Sequence, residues 1–182
     1  RATPGVILLP VGNEFQWSRA TVSSIVSINI FLYGLIGPFA AALYQRFGLR
    51  RTMMTAMGLL AAGYGLSTFA TRYWELVVLW GVVVGAGSGM AATVLGAAVA
   101  QRWFTERRGL VMGVLTASTA TGQLVFLRTL AGAATTDWRW AVWITAGAAA
   151  AVVPLIGWLM RDGPREVGLR PYGETGPAEA DA

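Results

Sequence analysis

Charged residues divide this chain into long uncharged runs. Ala20 to Gln45 is 26 residues without a charge, Thr52 to Thr71 is 20, Leu76 to Gln101 is 26, Gly109 to Leu127 is 19, and Trp140 to Met160 is 21. Arg128 alone separates the fourth of these from a further uncharged stretch that reaches Thr136. About 20 residues of helix cross a bilayer. The pattern therefore predicts five full spans, joined by links too short to fold into domains. Backbone in hydrocarbon must bond to itself, which leaves helices or closed barrels. Barrel strands run about 9–11 residues and alternate in polarity. These runs are twice that length and do not alternate, so helices are expected. Ahead of them, Ala2 to Asn13 is 12 uncharged residues holding Pro4 and Pro10. That is too short to span alone and reads as the outer end of a first helix whose beginning is missing. The expected architecture is an all-α membrane bundle over residues 1–161, with a partial first helix at 1–13. Helices two to six are placed at about 18–45, 52–71, 75–101, 109–136 and 140–160, and a linker at 162–182.

Composition supports hydrocarbon as the solvent. The 182 residues are 55% hydrophobic and 13% charged, with mean hydropathy +0.55. A soluble domain carries about 25% charged residues. The 23 glycines do not argue against helix, because small residues let membrane helices approach closely. Cysteine and histidine are both absent. That removes disulfides, thiolate metal sites and the side chain best suited to titrate near neutral pH. The chain has no initiator Met and no signal-peptide pattern, and it reads as beginning partway through a larger protein.

Every one of the 14 basic residues is arginine, and their placement sets the expected orientation. Arg46, Arg50, Arg51, Arg102, Arg107, Arg108, Arg161, Arg165 and Arg170 fall in links after even-numbered helices. The other links hold Arg19, Arg72 and Arg139. The arginine-rich side is expected to be cytoplasmic, and with it the tail after Arg161, whose Pro, Gly and acidic content reads as a flexible linker. The net charge of +5 is thus a topology signal and not a nucleic-acid surface. Trp17, Tyr73, Trp74, Trp103, Trp138 and Trp140 fall at helix ends, as an interfacial belt would require. A weak internal similarity links Gly48-Leu49-Arg50-Arg51 to Asp137-Trp138-Arg139-Trp140, 89 positions apart and on opposite sides of the membrane.

Three stretches together resemble one family. Glu14-Phe15-Gln16-Trp17-Ser18-Arg19-Ala20 resembles the first outer loop of oxalate/formate exchanger-like and monocarboxylate transporter-like members of the major facilitator superfamily. Arg46-Phe47-Gly48-Leu49-Arg50-Arg51 resembles the superfamily's loop between helices two and three. Trp103-Phe104-Thr105-Glu106-Arg107-Arg108-Gly109-Leu110-Val111-Met112-Gly113 resembles the stretch leading into helix five of monocarboxylate transporters. The tail Gly163-Pro164-Arg165-Glu166-Val167-Gly168-Leu169-Arg170-Pro171 is similar to the start of the central loop. The resemblance covers essentially the whole chain. It implies the N-terminal six-helix half of a twelve-helix fold, and it makes the internal similarity an expected inverted repeat. Its inner-loop residues map to Gln45, Arg46, Gly48, Arg50 and Arg51, and its helix-five residues to Phe104, Arg107, Arg108, Gly109 and Gly113. Three departures stand out. Gln45 occupies the place of an acidic residue that helps hold the inner loop in the family. Gly81 stands where proton-driven members carry an arginine. Helix five lacks the Gly-Pro pair of drug exporters.

Candidates for the pathway are Asn29, Tyr33, Gln123 and Arg128. Arg128 is the one charged residue in the interior of an expected span. A charge at mid-membrane costs at least about 2.5–3.5 kcal/mol and marks a pathway or a partner by default. Its guanidinium suits a carboxylate, yet it lies near enough to the outer end to snorkel. Gln123, Thr116 and Thr119 form a second polar set on another face of the same helix, while Arg128 shares its face with Thr121 and Thr135. Asn29 and Tyr33 share one face of helix two and either line the pathway or tie helices together. Gly81, Gly85 and Gly89 form a ribbon for close packing or for sliding during rocking. Gly34, Gly37 and Pro38 mark a bend in helix two.

No enzyme signature is present: no metal-ligand cluster, phosphate loop or nucleophile-base pair, and no cofactor is expected. Glu14, Glu75 and Asp137 are placed near the outer surface, which leaves no midplane carboxylate for a proton relay. The expectation is a multi-pass plasma (inner) membrane protein that moves a small organic anion, a monocarboxylate or dicarboxylate, by alternating access. Its partners would be the lipid bilayer, the missing C-terminal half and a small-molecule substrate, with no nucleic acid. The alternatives are another substrate class (drug, sugar, neutral metabolite) or a non-transporting membrane sensor or assembly partner.

Overall fold

A computed structural model of the chain describes residues 10–91, 94–104, 106–134, 137–168 and 172. Among these residues the regular structure is helical: α1 (10–15), α2 (Arg19–Phe47), α3 (Leu49–Ser67), α4 (Tyr73–Met90), α5 (Val94–Trp103), α6 (Arg108–Ala134) and α7 (Trp138–Leu159). α2, α4, α6 and α7 are long and apolar enough to cross a membrane. α3 has the length, at 19 residues, but Arg50 and Arg51 in its first turn dilute its apolar character. Local signals set the starts. Ser18 Oγ accepts from Thr21 N at 3.1 Å ahead of α2, and Asp137 Oδ1 accepts from Arg139 N at 2.9 Å ahead of α7. α2 runs unbroken through Pro38, which sits inside the helix without ending it.

The fourth expected helix, about 75–101, is not continuous. α4 ends at Met90, Ala91 leaves helical geometry (φ −83, ψ 1), and α5 begins at Val94. Two causes act together. Gly85, Gly87 and Gly89 lower helix propensity by about 1 kcal/mol each. The buried Tyr44 hydroxyl then donates to Met90 O, taking the carbonyl that a continuing helix would use for residue 94. Within α4, Val77–Val84 is wound as π-helix.

α4 is wedged between α2 and α3, and its glycines are the reason it fits. A Cβ on Gly85 would stand 3.2 Å from Asn29 Cα and O. One on Gly81 would stand 3.0 Å from Ile28 Cγ2, and one on Gly89 3.1 Å from Tyr33 O. The ribbon therefore lies directly on α2 at four-residue spacing, and α2 and α4 run parallel. On the other side, a Cβ on Gly87 would stand 3.0 Å from Ala56 O, and one on Gly63 2.7 Å from Val84 Cγ2. α3 and α7 pack antiparallel: Gly65 lies against Ala146, and Met54 against Gly157. The two similar tetrapeptides, at Gly48 and Asp137, thus open an antiparallel pair from opposite ends.

The arginine-rich links gather at one end of the bundle, where Arg50 donates to Gly157 O and Arg102 Nη1 to Asp162 O at 3.0 Å. The opposite end holds the main apolar core, with Tyr64, Trp80 and Trp138 in edge-to-face contact. Trp138 is 3% exposed. It is a core residue, unlike Trp74 and Trp140, which are exposed as a belt requires. The start of the linker is not a free tail either. Pro164–Val167 forms a 3-10 turn, and Tyr172 N donates to Trp103 O at 2.8 Å.

Candidate functional site

α6 differs from every other long helix in how little of it is covered. Leu130 is its one buried residue among those described. Contacts hold it near its ends, with Leu115 and Met112 against Gly96 and with Ala133 and Ala134 against the core. Its middle is a collar of small or polar residues: Thr116, Ala117, Ser118, Thr119, Ala120, Thr121, Gly122 and Gln123. No large apolar side chain occurs in these two turns, and all but the half-buried Gly122 are exposed.

The collar's hydrogen bonds reveal what it offers. Thr116, Ser118, Thr119 and Thr121 each donate a hydroxyl to the carbonyl four residues earlier, at 2.8–3.0 Å. Their hydrogens are satisfied within the helix and their lone pairs face outward. Gln123 and Arg128 remain as the outward donors. Both are exposed, and Arg128 makes no hydrogen bond or ion pair among the described residues. At 100° per residue the two lie about 140° apart around α6. An unpaired amide or guanidinium in hydrocarbon costs several kcal/mol. Water, protein or, for Arg128, the headgroup region that its long side chain can reach would meet these donors.

Asn29 and Tyr33 sit elsewhere. Asn29 Nδ2 donates to Trp80 O at 2.7 Å, inside the π-helical stretch of α4. Its carboxamide thus ties α2 to α4. It also lines a cavity of about 10 Å³, bounded by Ile25, Val26, Tyr64, Trp80 and Val84, about the room one water needs. Tyr33 is half-buried, with its carbonyl under Gly89. The structure therefore brings Gln123 and Arg128 onto one uncovered helix and leaves Asn29 and Tyr33 at the α2–α4 contact.

The two arginine-containing motifs lie at the arginine-rich end. Gln45, Arg46 and Arg51 are exposed, and Arg46 lies 5.5 Å from the centre of the Phe47 ring. Gly48 adopts φ +82, a region that glycine enters without steric penalty. Arg108 Nε donates to Phe104 O at 2.6 Å, and the Phe104 ring lies 6.2 Å from that of Tyr172. Arg107 has φ +57, while Gly109 and Gly113 have open space around them. Thr105 and Thr135 lie outside the described residues.

At the opposite end, Glu14, in the last turn of α1, ties α1 to the start of α7. Arg139 grips its carboxylate with two nitrogens, at 2.7 and 3.2 Å, and the Trp138 indole N–H donates to it as well. The Arg139 guanidinium stands 4.8 Å above the Trp138 ring. The hydrogen bonds from Arg139 and then Trp138 hold the Glu14 carboxyl below the ordinary carboxylate range. Sequence reasoning placed Glu14 at this surface but missed this tie.

The profile of the Major Facilitator Superfamily matches residues 1–180 of the chain. Curated relatives agree. An uncharacterized transporter of Saccharomyces cerevisiae is 33% identical over 113 residues, 60% of this chain and 16% of its own length. Monocarboxylate transporter 14 of Mus musculus is 31% identical over 126 residues, covering 69% of this chain and 24% of its own length. Monocarboxylate transporter 13 of Bos taurus is 34% identical over 110 residues, covering 60% and 26%. The chain thus spans about a quarter or less of the curated relatives it matches. A membrane bundle of apolar helices, an arginine-rich end and a profile match over nearly every residue lead to one assignment: this chain belongs to the Major Facilitator Superfamily.

Proposed function

We propose that the chain is one half of a secondary transporter that moves a small organic anion, a monocarboxylate or dicarboxylate, by alternating access. The observation that carries this reading is the uncovered polar middle of α6, which ends at Gln123, with Arg128 five residues farther toward the outer end as a second outward donor. A second helical half meeting this face would enclose a polar pathway near the midplane, where such transporters bind their substrates. Arg128 gives that pathway a planar fork for a carboxylate. The names of the matched monocarboxylate transporters point to the same substrate class. The protein would lie in the plasma membrane, with its arginine-rich end and its linker in the cytoplasm.

The test is uptake of labelled monocarboxylates and dicarboxylates by the full-length protein in vesicles. A charge-assisted hydrogen bond lost from a bound anion costs about 1.5–3 kcal/mol, or roughly 10- to 100-fold in kcat/KM. Arg128→Ala should lose that much, and Arg128→Lys should recover only part of it, since a lysine lacks the fork. Wild-type uptake from Arg128→Ala would make Arg128 a snorkelling residue. Transport of a sugar or drug without any carboxylate would remove the anion assignment.

A further inference from the structure

We propose that Asp162, at the start of the linker, supplies the carboxylate that Gln45 does not, and that it clamps the linker onto the inner-loop motif as a releasable strap.

The geometry is local and specific. Asp162 Oδ1 accepts from Arg50 N at 2.6 Å, at the N-terminus of α3, where backbone N–H groups lack helical partners. The carboxylate fills the notch above Gly48. A Cβ at that position would stand 2.6 Å from Asp162 Oδ2 and 2.9 Å from its Cγ. The positive φ and the missing side chain of Gly48 therefore serve one contact. Asp162 is held in turn. Its carbonyl accepts from Arg102 Nη1 at 3.0 Å, its N–H donates to Glu166 Oε2 at 3.0 Å, and Arg50 reaches past it to Gly157 O. Farther on, Tyr172 pairs with the other motif loop: Tyr172 N donates to Trp103 O and Glu106 N to Tyr172 O, at 2.8 and 3.3 Å. Asp162 thus bonds at the α2–α3 link, and Tyr172 at the α5–α6 link. Beneath it, Leu49 is wholly buried among Ala40, Tyr44, Val99 and Met160, and Met160 is part of the segment that enters the strap.

A carboxylate on the linker ties the bundle to the chain that leaves it, which one on α2 would not do. Release of Asp162 frees the α3 N-terminus and lifts Met160 from Leu49 in a single step. The position that reports release is therefore Leu49, and the absence of cysteine from this chain allows a single thiol to be placed there.

The experiment follows maleimide labelling of Leu49→Cys in the full-length protein purified in detergent, counted above the same protein without that cysteine. A second reporter, Ala70→Cys, is buried at the far end of the bundle. Asp162→Ala should speed labelling at position 49 at least tenfold and leave position 70 unchanged. Gly48→Ala should do the same, because its methyl occupies the carboxylate's place. Asp162→Asn, which keeps one acceptor oxygen, should fall between. Equal rates at position 49 in wild type and Asp162→Ala would overturn the proposal. So would equal acceleration at positions 49 and 70, which would mean that the variant had lost its fold and not its clamp.

Discussion

Glu14 shows how a single side chain can be legible in position and illegible in role. The chain order puts it in an outer link, but nothing in the spacing joins it to Trp138 and Arg139, more than 120 positions away. The tie becomes visible only when α7 begins beside α1. Its pH dependence has a definite sign. A carboxyl whose folded pKa is depressed stabilises the fold above its unfolded value and loses that contribution as pH falls through the lower, folded one. Because the ion pair is more than a third exposed, its worth is limited to about 1 kcal/mol. Thermal unfolding in detergent should therefore show Glu14→Gln less stable than wild type at neutral pH. The difference should shrink toward zero below the carboxylate range. A gap that widened on acidification would contradict this account. Asp162 is likewise placed by the chain order without its partner being visible. Its neighbour Gly48 was identified from the motif, but a carboxylate 114 positions later has no periodic relation to it.

At the scale of elements, hydropathy located the helices and small residues decided how they meet. Uncharged length is a property of each segment alone, and α2, α3, α6 and α7 each overlap one long uncharged run. The interruption at Ala91 escaped it, because the cause is the Tyr44 hydroxyl of another helix. The glycine ribbon was readable as a packing surface. Its partner was not, since three glycines at four-residue spacing fit any backbone with a complementary ridge. That α2 is the partner gives a specific prediction. Gly85→Ala places a methyl 3.2 Å from the Asn29 backbone, and overpacking of this kind costs about 1–3 kcal/mol. Gly58→Ala in α3 meets nothing within 4 Å, and should be neutral or stabilising by up to about 1 kcal/mol. Melting temperatures of the two variants in one detergent measure the contrast directly. Equal effects would remove the ribbon from the α2–α4 contact.

For the whole molecule, alternation of the links between an arginine-rich and an arginine-poor end follows from topology, and the bundle reproduces it through Arg50, Arg102 and Asp162 at one end and Glu14 and Arg139 at the other. The candidate pathway residues are harder to tell apart. Gln123 and Arg128 stand out as polar residues in an apolar run, but Asn29 looks the same in sequence and is spent on Trp80 O. What separates them is coverage, a tertiary property. A signal for the collar was present in the run from Thr116 to Gln123, eight residues without one large apolar side chain. The claim on which the functional account depends is that this collar meets water and not lipid. A series of single cysteines through positions 116–123 of the full-length protein in membranes, treated with a hydrophilic maleimide, addresses it directly. The account predicts rapid labelling on at least one face of the collar, slowed by a transported carboxylate. It also predicts none at Phe31 or Phe39, exposed apolar positions on α2. Uniform silence from 116 to 123 would place α6 in hydrocarbon and contradict the account.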